Sequence, residues 1–308
     1  MENLRRQLFH LASAAVLLCE GVVQASVGDD GKCRILSFRG GGVHGSYEVG
    51  VLNALVDHMP PEELHYDYVG GVSIGAVNAS IFSLYGKGQE KEAARFMYDL
   101  WNGRETSEFF HFRSWWPIKG FSESSLADNA PFREILDGIF GNRDFKRKLS
   151  IMSSDLNTGQ TIIFDETMSL ADRLDGILSS TTVPLAFPTV HMDDMVLVDG
   201  SLFATISIGD PIERCREEVD DKDIIVDVIT CYQETHEIDP WFYEDLMWEN
   251  AHSFYRRRKK INNYYYYKED LVRMTRGFHD VNFRLIAIPS EPLVAGGMIP
   301  ISATKEDI

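Results

Sequence analysis

The chain has 308 residues, enough for one large α/β domain or two small ones. Apolar side chains make up 44 % of it, so a sizeable core can be buried, and 47 acidic against 30 basic side chains give a formal charge of −17. Because phosphate binding requires a basic surface, this charge argues against nucleic acid as a partner.

The N-terminus has the composition of a secretory signal peptide. Arg5 and Arg6 form a short basic region, and the apolar segment Leu8–Cys19 is too short to span a bilayer. Val23-Gln24-Ala25 offers the small residues that signal peptidase prefers. We expect residues 1–25 to be a signal peptide that directs the protein to the outside of the cell or to the endomembrane lumen. The alternative is an N-terminal helix that packs on the domain or lies on a membrane surface.

From residue 33 onward, segments with strand-like alternation and segments with helical spacing follow one another. Asn157-Thr158-Gly159 indicates a hairpin turn, and no change of composition marks a second domain. This order predicts an α/β domain whose mostly parallel sheet lies between helical layers. In chain order, the predicted elements are strand Cys33–Phe38, helix Tyr47–His58, strand Tyr68–Val72, helices Ile74–Tyr85, Lys91–Trp101 and Ser124–Ile139, strands Leu149–Ser153 and Thr161–Phe164, helix Leu170–Leu178, strands Met195–Val198 and Asp223–Thr230, a long helix over residues 243–276, and strand Asn282–Ile288.

The sequence Gly71-Val72-Ser73-Ile74-Gly75 lies between a predicted strand and a predicted helix. A nucleophile at so sharp a turn needs small neighbours, because the backbone folds tightly around it. The following helix directs its free N–H groups toward the serine oxygen and toward any oxyanion beside it. We therefore predict that Ser73 is the nucleophile of a hydrolase. A glycine-rich turn before a packed helix is the alternative.

A run of glycines, Gly40-Gly41-Gly42-Val43-His44-Gly45, also lies between a strand and a helix. Consecutive glycines let backbone N–H groups line up toward an anion. A dinucleotide-binding loop requires an acidic residue at the end of the next strand, whereas Asp67 precedes that strand. An oxyanion hole that serves Ser73 and a plain tight turn remain open.

Asp199-Gly200 ends another predicted strand. A carboxylate at a strand end can reach a neighbouring strand end, where α/β folds collect their ligands, and there it would accept the serine proton. An Asp-Gly turn is also common by itself. The three patterns together supply a nucleophile, a base and oxyanion donors, which are the parts of an acyl-transfer site.

The three patterns, in this order, resemble the signatures of the patatin-like phospholipase family, over about Cys33 to Thr205. The resemblance implies a three-layer α/β/α fold and a lipid acyl hydrolase of phospholipase A or lipase type, which needs no cofactor or metal and has phospholipid or another acyl lipid as its substrate. Residues 33–205 then form the catalytic core, and residues 206–308 continue the same domain. The residues that it assigns are Ser73 and Asp199 as catalytic dyad, Gly40, Gly41 and Gly42 as oxyanion loop, and Gly45, Gly71, Gly75 and Gly200 as further motif positions.

Two positions depart from the family pattern. Arg39 stands where plant members usually have Asp, and Ser201 follows Asp199-Gly200 where Gly or Ala is usual. Neither change removes a catalytic group. An aspartate with an ordinary pKa of about 4 is a weak base for a serine hydroxyl, so Asp199 must act in a partly desolvated pocket.

Two other functions remain open on the sequence alone. The first is a Ser–Asp–His esterase of α/β-hydrolase type, with His236, His252 or His279 as its third member. The second is a non-catalytic lipid-binding protein that retains the fold. Both keep the predicted fold class. The dyad predicts that no histidine substitution abolishes turnover, and a non-catalytic protein predicts that Ser73→Ala has no turnover to remove.

Two segments bear on how a lipid would reach the site. Residues 109–121, which include Trp115 and Trp116, are rich in aromatic side chains and are a candidate lid or acyl-binding wall. Arg256–Lys260 is the single basic cluster of an acidic chain and would dock on anionic headgroups in peripheral membrane contact. The alternatives are core packing for the first segment and a solvated helix face for the second.

The cysteines give a weaker signal. Removal of the leader would leave Cys33, Cys215 and Cys231, an odd number without CxxC spacing, so we expect neither a disulfide framework nor a zinc site. A single Cys215–Cys231 bridge and three buried free thiols are both compatible with the sequence.

Overall fold

The structure, a computed structural model, describes residues 30–102, 104, 106–113, 125–231, 251–290 and 293. The expected signal peptide over residues 1–25 lies outside these residues. So do Trp115 and Trp116 of the aromatic segment and His236 of the alternative triad.

Eight strands of the described chain form one sheet. The four central parallel strands are buried along all or nearly all of their length, as near-continuous apolar runs in a parallel sheet require. In chain order, the strands of the protein are β1 Cys33–Phe38, β2 Tyr68–Val72, β3 His111–Phe112, β4 Ala127–Asp128, β5 Lys148–Asp155, β6 Gln160–Asp165, β7 Val190–Met192, β8 Met195–Asp199, β9 Ile224–Ile229 and β10 Asn282–Ala287.

The order across the sheet is β10-β9-β1-β2-β5-β8-β7, and β6 pairs with the other side of β5. The five strands from β10 to β5 are parallel. Strands β6, β7 and β8 add antiparallel pairings at one side. The predicted mostly parallel sheet is therefore confirmed, and β9 and β10 from the C-terminal third pair in the same sheet as β1.

Helices cover both faces of the sheet, as the predicted α/β/α layering requires. Alternate residues of β1 point to opposite faces. Leu36 and Phe38 join a core with helices α1 to α5, whereas Cys33 and Ile35 join a second core with α6 and α7. None of the described helices has the length and apolar character that a membrane span requires. The helices are α1 Gly45–His58, α2 Ile74–Ser83, α3 Glu90–Asn102, α4 Ala130–Phe140, α5 Leu170–Thr181, α6 Gly209–Arg216 and α7 Ala251–Gly277.

Most predicted boundaries agree with the structure to within one or two residues, and the exceptions have local causes. Helix α4 begins six residues later than predicted, because Ala127–Asp128 pairs with β3 and Pro131 occupies the first turn. Helix α6 was missed, because its eight residues contain only two turns. Residues 243–250 of the predicted long helix lie outside the described residues.

The cysteine pairing differs from both alternatives considered above. Cys33 at the start of β1 forms a disulfide with Cys215 on α6, and their Cα atoms are 5.9 Å apart. Cys231 is a buried free thiol, so the Cys215–Cys231 bridge is wrong. The reason is topological: α6 packs across the face of the sheet on which Cys33 lies.

Candidate active site

Two strands meet end to end beside β5 and bring Ser73 next to Asp199. Val72, the last residue of β2, pairs with Met152, and Asp199, the last residue of β8, pairs with the next residue along, Ser153. Because β6 occupies the other side of β5, β2 and β8 must share one side of it and approach each other head on. The two strand ends are close, as the sequence predicts, because β8 runs antiparallel to β5 and so points toward the end of β2.

The backbone at Ser73 turns as a nucleophile elbow does. Its φ of 56° and ψ of −128° are strained for a residue with a side chain, and such strain is concentrated at functional sites. A Cβ at Gly71 would overlap the Gly75 carbonyl, and a Cβ at Gly75 would overlap the Phe38 carbonyl, so the turn requires both glycines. The Ser73 side chain does not cap α2. Its hydroxyl is therefore left for other contacts.

Asp199 is fully buried, and its burial has a direct electrostatic consequence. Loss of water raises the pKa of this carboxyl to about 6, while hydrogen bonds from Ser73 and Ser201 oppose the shift. Oδ1 accepts the Ser201 N–H at 2.8 Å. Oδ2 has no partner of regular hydrogen-bond geometry among the described residues, so the contact with the Ser73 hydroxyl is a loose one. Contacts of this kind commonly tighten when substrate binds.

The glycine loop lies against Ser73. A Cβ at Gly40 would lie 3.1 Å from Ser73 Cβ, and Gly42 has a φ of 62°, which favours glycine. The Gly40 N–H donates to the Thr205 carbonyl at 3.0 Å. The Gly40 N–H is therefore bound to Thr205 and differs from the predicted oxyanion donor. The absence of a side chain at Gly40 lets the loop backbone approach Ser73 closely. The N–H groups of Gly41 and Gly42 have no such backbone partner in the described part of the chain.

The remaining motif glycines permit close packing around the site. A Cβ at Gly45 would lie 2.7 Å from the Ile74 side chain, where α1 begins against the elbow. At Gly200, a Cβ would overlap the Met152 carbonyl, so only glycine lets the chain leave β8 beside β5.

A cavity with a largely apolar lining opens beside Ser73. Gly42, Val43 and Ser73 form one part of its wall, and Asn129 and Thr181 are the other polar residues that line it. Among the described residues, no charged side chain contributes to the lining. The apolar wall consists of Ile74, Val77, Leu100, Trp101, Phe109, Phe110, Phe132, Ile135, Leu136, Ile139, Val183 and Phe187.

Comparison with known proteins identifies the fold family. A family model described as patatin-like phospholipase matches residues 36–212, more than half of the chain. The chain belongs to the patatin-like phospholipase family. Membership in this family supports, in general terms, a lipid acyl hydrolase with a lipid substrate.

Other comparisons add little beyond the family. The crystal structure of VipD from Legionella pneumophila is similar over 67 % of this chain, with 12 % sequence identity and a TM-score of 0.38. This chain spans half of the length of that structure. So low a similarity supports no conclusion about activity. No curated protein matches this chain.

In this member of the patatin-like phospholipase family, the aromatic segment contributes to the cavity. Phe109 packs edge to face on Phe132 with ring centroids 5.6 Å apart, and Phe110 packs on Phe187 at 5.4 Å. The described part of the segment thus forms part of the cavity wall.

The positions that depart from the family pattern have partners. Arg39 is fully buried, and its Nε donates to Thr205 Oγ1 at 3.0 Å. Nearby, Glu48 is completely buried, and desolvation raises its pKa well above the ordinary value, opposed by a hydrogen bond from Asn78 and by Arg39. Ser201, the other departure, provides the N–H that binds Asp199.

Of the three histidines of the alternative triad, His279 has a side chain in the described part of the chain. His279 is exposed beside Asp280 and follows α7, at the edge where the parallel strands begin. Ser73 lies at the opposite edge. The side chain of His252 lies outside the described residues. Burial lowers the pKa of His44, so this imidazole next to the glycine loop is favoured in its neutral form.

Sequence reasoning missed the hydroxyl groups that hold Ser73 and the end of β8 in place. The Ser73 N–H donates to Ser180 Oγ at 3.0 Å, and the Ser180 hydroxyl donates to the Met152 carbonyl at 2.7 Å. The Asp199 N–H donates to the Thr182 carbonyl at 2.9 Å. The run of four hydroxyl residues from Ser179 to Thr182, at the C-terminal end of α5, was the available signal. Among the described residues, no group of three His, Cys, Asp or Glu side chains could hold a metal ion.

Proposed function

We propose that the protein hydrolyses fatty-acyl esters of lipids as a serine hydrolase of phospholipase A or lipase type, with Ser73 and Asp199 as a catalytic dyad. The observation that carries this proposal is the position of Ser73 and of a fully buried Asp199 at two strand ends that meet beside β5, with Ser73 in the wall of an apolar cavity. A carboxyl whose pKa is raised to about 6 is a better proton acceptor than an ordinary aspartate and is still ionised at neutral pH.

The chemistry follows from the positions of these groups. Asp199 takes the proton of Ser73 Oγ as that oxygen attacks the acyl carbonyl carbon, and the tetrahedral intermediate then expels the lipid alcohol, which receives the proton from Asp199. Water, deprotonated by Asp199, attacks the acyl-serine ester and releases the fatty acid. Serine is thereby regenerated, and the net reaction consumes one water molecule.

The oxyanion needs donors on the side of the glycine loop. The amides of Gly41 and Gly42 are our candidates, because they have no backbone partner among the described residues and Gly42 lines the same cavity as Ser73. The N-terminal end of α2, which begins at Ile74, adds its positive dipole. Loss of one donor in such a site typically costs ~10²–10³-fold in rate.

The apolar cavity suits a fatty-acyl chain. Its aromatic and aliphatic wall removes hydrocarbon from water, at about 0.8 kcal/mol for each buried CH₂ group. Since the described lining residues carry no charge, we expect a polar headgroup to remain outside.

A fluorophosphonate probe and a panel of lipid esters test the proposal. Wild type should react with the probe and release fatty acid, and Ser73→Ala should do neither. The matched control is Ser83→Ala, a buried serine at the far end of the same helix, which should keep both activities. Loss of activity on substitution of His236, His252 or His279 by Gln would favour the histidine-containing triad instead. A wild type that neither reacts nor hydrolyses would favour the lipid-binding alternative.

Peripheral contact with an anionic membrane forms part of the proposal. Tyr266 on α7 binds the loop after β8, and the 16 residues from Ala251 to Tyr266 form roughly 22 Å of helix on the N-terminal side of this contact. This half of α7 contains Arg257 and the exposed Arg258, together with Tyr255, whose residue is 63 % exposed. Cations and exposed aromatic rings suit a headgroup region. The net charge of −17 argues against nucleic acid as a partner.

A charge comparison along α7 tests this contact. Replacement of Arg257 and Arg258 by Gln should weaken binding to vesicles that contain phosphatidylserine, with little effect on vesicles of phosphatidylcholine alone. Replacement of Arg273 and Arg276 by Gln removes the same charge from the other end of α7 and should leave binding intact. Equal effects of the two pairs would exclude docking through this surface.

The proposed location is outside the cell or in the endomembrane lumen. The composition of residues 1–25 supports it, and so does the Cys33–Cys215 disulfide, since disulfides persist in oxidising compartments. N-terminal sequencing of the protein from its native cells should find a chain that begins after Ala25. An intact N-terminus on a membrane-bound protein would favour the anchoring helix instead.

A further inference from the structure

Helix α7 lies outside the family-matched residues, yet one of its faces contacts both loops of the candidate site. Asp270 Oδ2 accepts the Thr205 backbone N–H and the Thr205 hydroxyl, each at 2.6 Å. One turn earlier, the Tyr266 hydroxyl donates to the Ser201 carbonyl at 2.8 Å. Residues four apart lie on the same face of a helix, so Tyr266 and Asp270 form one contact surface.

Each contact leads in a single step to a reacting group. Thr205 accepts the Gly40 N–H through its carbonyl, and its hydroxyl accepts from Arg39 Nε. Asp270 therefore fixes Thr205, the residue to which the glycine loop is hydrogen-bonded. Ser201 gives its N–H to Asp199 Oδ1, so Tyr266 fixes the residue that hydrogen-bonds the base.

We propose that α7 is a clamp, in which Asp270 positions the oxyanion loop through Thr205 and Tyr266 positions the Asp199 carboxylate through Ser201. The clamp rests on the proposed function, and both are positioning residues, since neither touches the substrate. Asp270 is 7 % exposed, and Thr205 is 2 % exposed. Water therefore cannot easily replace a contact that is removed.

The two arms of the clamp predict different kinetic signatures. Asp270→Ala frees Thr205 and displaces the loop, and a misplacement of about 1 Å can cost ~10²-fold in rate. We expect kcat to fall tenfold to ~10²-fold, with KM for a soluble ester nearly unchanged. Inhibition by a trifluoromethyl ketone, which forms a tetrahedral adduct, should weaken in parallel, because it uses the same oxyanion donors. Asp270→Asn keeps an oxygen acceptor for Thr205 and should restore most of the activity.

Tyr266→Phe should act on the base instead. The Ser201 hydrogen bonds hold the pKa of Asp199 down against desolvation. Release of Ser201 should therefore move the acid limb of the pH–rate profile to higher pH, whereas Asp270→Ala should leave that limb in place. A general loss of structure would change the pH–rate profiles of the two variants in the same way. A shift of the acid limb in Tyr266→Phe alone therefore indicates positioning of Asp199.

The matched controls are Glu269→Ala and Tyr265→Phe, neighbours on the exposed side of the same helix. Both should retain wild-type kinetics, and thermal unfolding of all variants checks that they fold. If Asp270→Ala and Tyr266→Phe match these controls while wild type is active, the clamp is wrong and the dyad stands. If Asp270→Asn is as impaired as Asp270→Ala, positioning through Thr205 is also wrong. A wild type without Ser73-dependent turnover would overturn the dyad and the clamp with it.

Discussion

Charged groups have different surroundings at the two edges of the parallel sheet. Where the strands begin, charges have partners: Lys32 binds Asp223 at 2.6 Å, and Arg34 holds the pKa of Asp30 down to about 2. Where the strands end, burial dominates. Asp199 and Glu48 both lie there, and desolvation raises the pKa of each.

Arg147 and Asp199 show the contrast most clearly. Both are almost completely buried. Arg147, just before β5, donates to the carbonyls of Tyr66, Tyr85 and Gly86 and to the carboxylate of Glu90. Asp199 has one oxygen without a regular partner among the described residues. We infer that the first edge supports folding, whereas the second retains an unfavourable charge because the proposed chemistry needs it.

The largest expected effect is on turnover at the second edge. Asp199→Asn keeps the shape of the side chain and removes the base, so kcat/KM for a soluble ester should fall by ~10³-fold or more, as for other bases of serine nucleophiles. The check is a comparison of steady-state kinetics with Asp223→Asn, which removes a carboxylate at the first edge and should keep wild-type kcat/KM. Equal losses in the two variants would remove the functional difference between the edges.

Removal of the paired charge should act on stability instead. Arg147→Met leaves Glu90 buried without its cation and frees three carbonyl groups, which should lower the free energy of unfolding by ~3–5 kcal/mol. Urea denaturation measures this change. Arg216→Met, at an exposed ion pair near the same edge, is the control and should change stability far less. An unchanged midpoint for Arg147→Met would contradict the assignment of this edge to folding.

The sequence predicts the parts of this arrangement that depend on residues close together in the chain. Strands β1 and β2 and the elbow at Ser73 were predicted to the residue, because alternation and glycine spacing are local signals. The proximity of Ser73 and Asp199 followed from placing each at a strand end. The antiparallel course of β8 that creates it was not predicted.

Contacts between distant parts of the chain carry no local signal. Asp270 and Thr205 are 65 residues apart, Ser180 and Ser73 are 107 apart, and Cys33 and Cys215 are 182 apart. Each depends on which helix covers which face of the sheet. Resemblance to the family supplied the roles of the motif residues, but it ends near Thr205 and so could not indicate α7.

The buried carboxylate of Asp199 should lower the stability of the folded protein. Its removal should therefore stabilise the protein, whereas removal of Arg147 should destabilise it. The pKa of Asp199 is raised from 3.8 to about 6 in the folded state, so the folded protein binds this proton more tightly. The resulting stabilisation is complete below about pH 4 and is lost as the pH rises through about 6, a change of about 3 kcal/mol. Asp199→Asn should therefore unfold at higher urea than wild type at about pH 8, and at nearly the same urea below about pH 4. A destabilised variant at the higher pH would show that Asp199 is paired after all.

The smallest effect is a pH dependence that the same carboxylate should impose on catalysis. Asp199 must be ionised to accept the Ser73 proton, and its raised pKa places this transition at about 6. Below that pH, kcat/KM should fall about tenfold for each pH unit, and above it the rate should be level. A soluble ester is the substrate of choice, because it separates titration of the base from any pH dependence of membrane contact. An acid limb centred near the ordinary aspartate value would mean that the site is hydrated in solution. Burial of Asp199 would then no longer distinguish the two edges of the sheet.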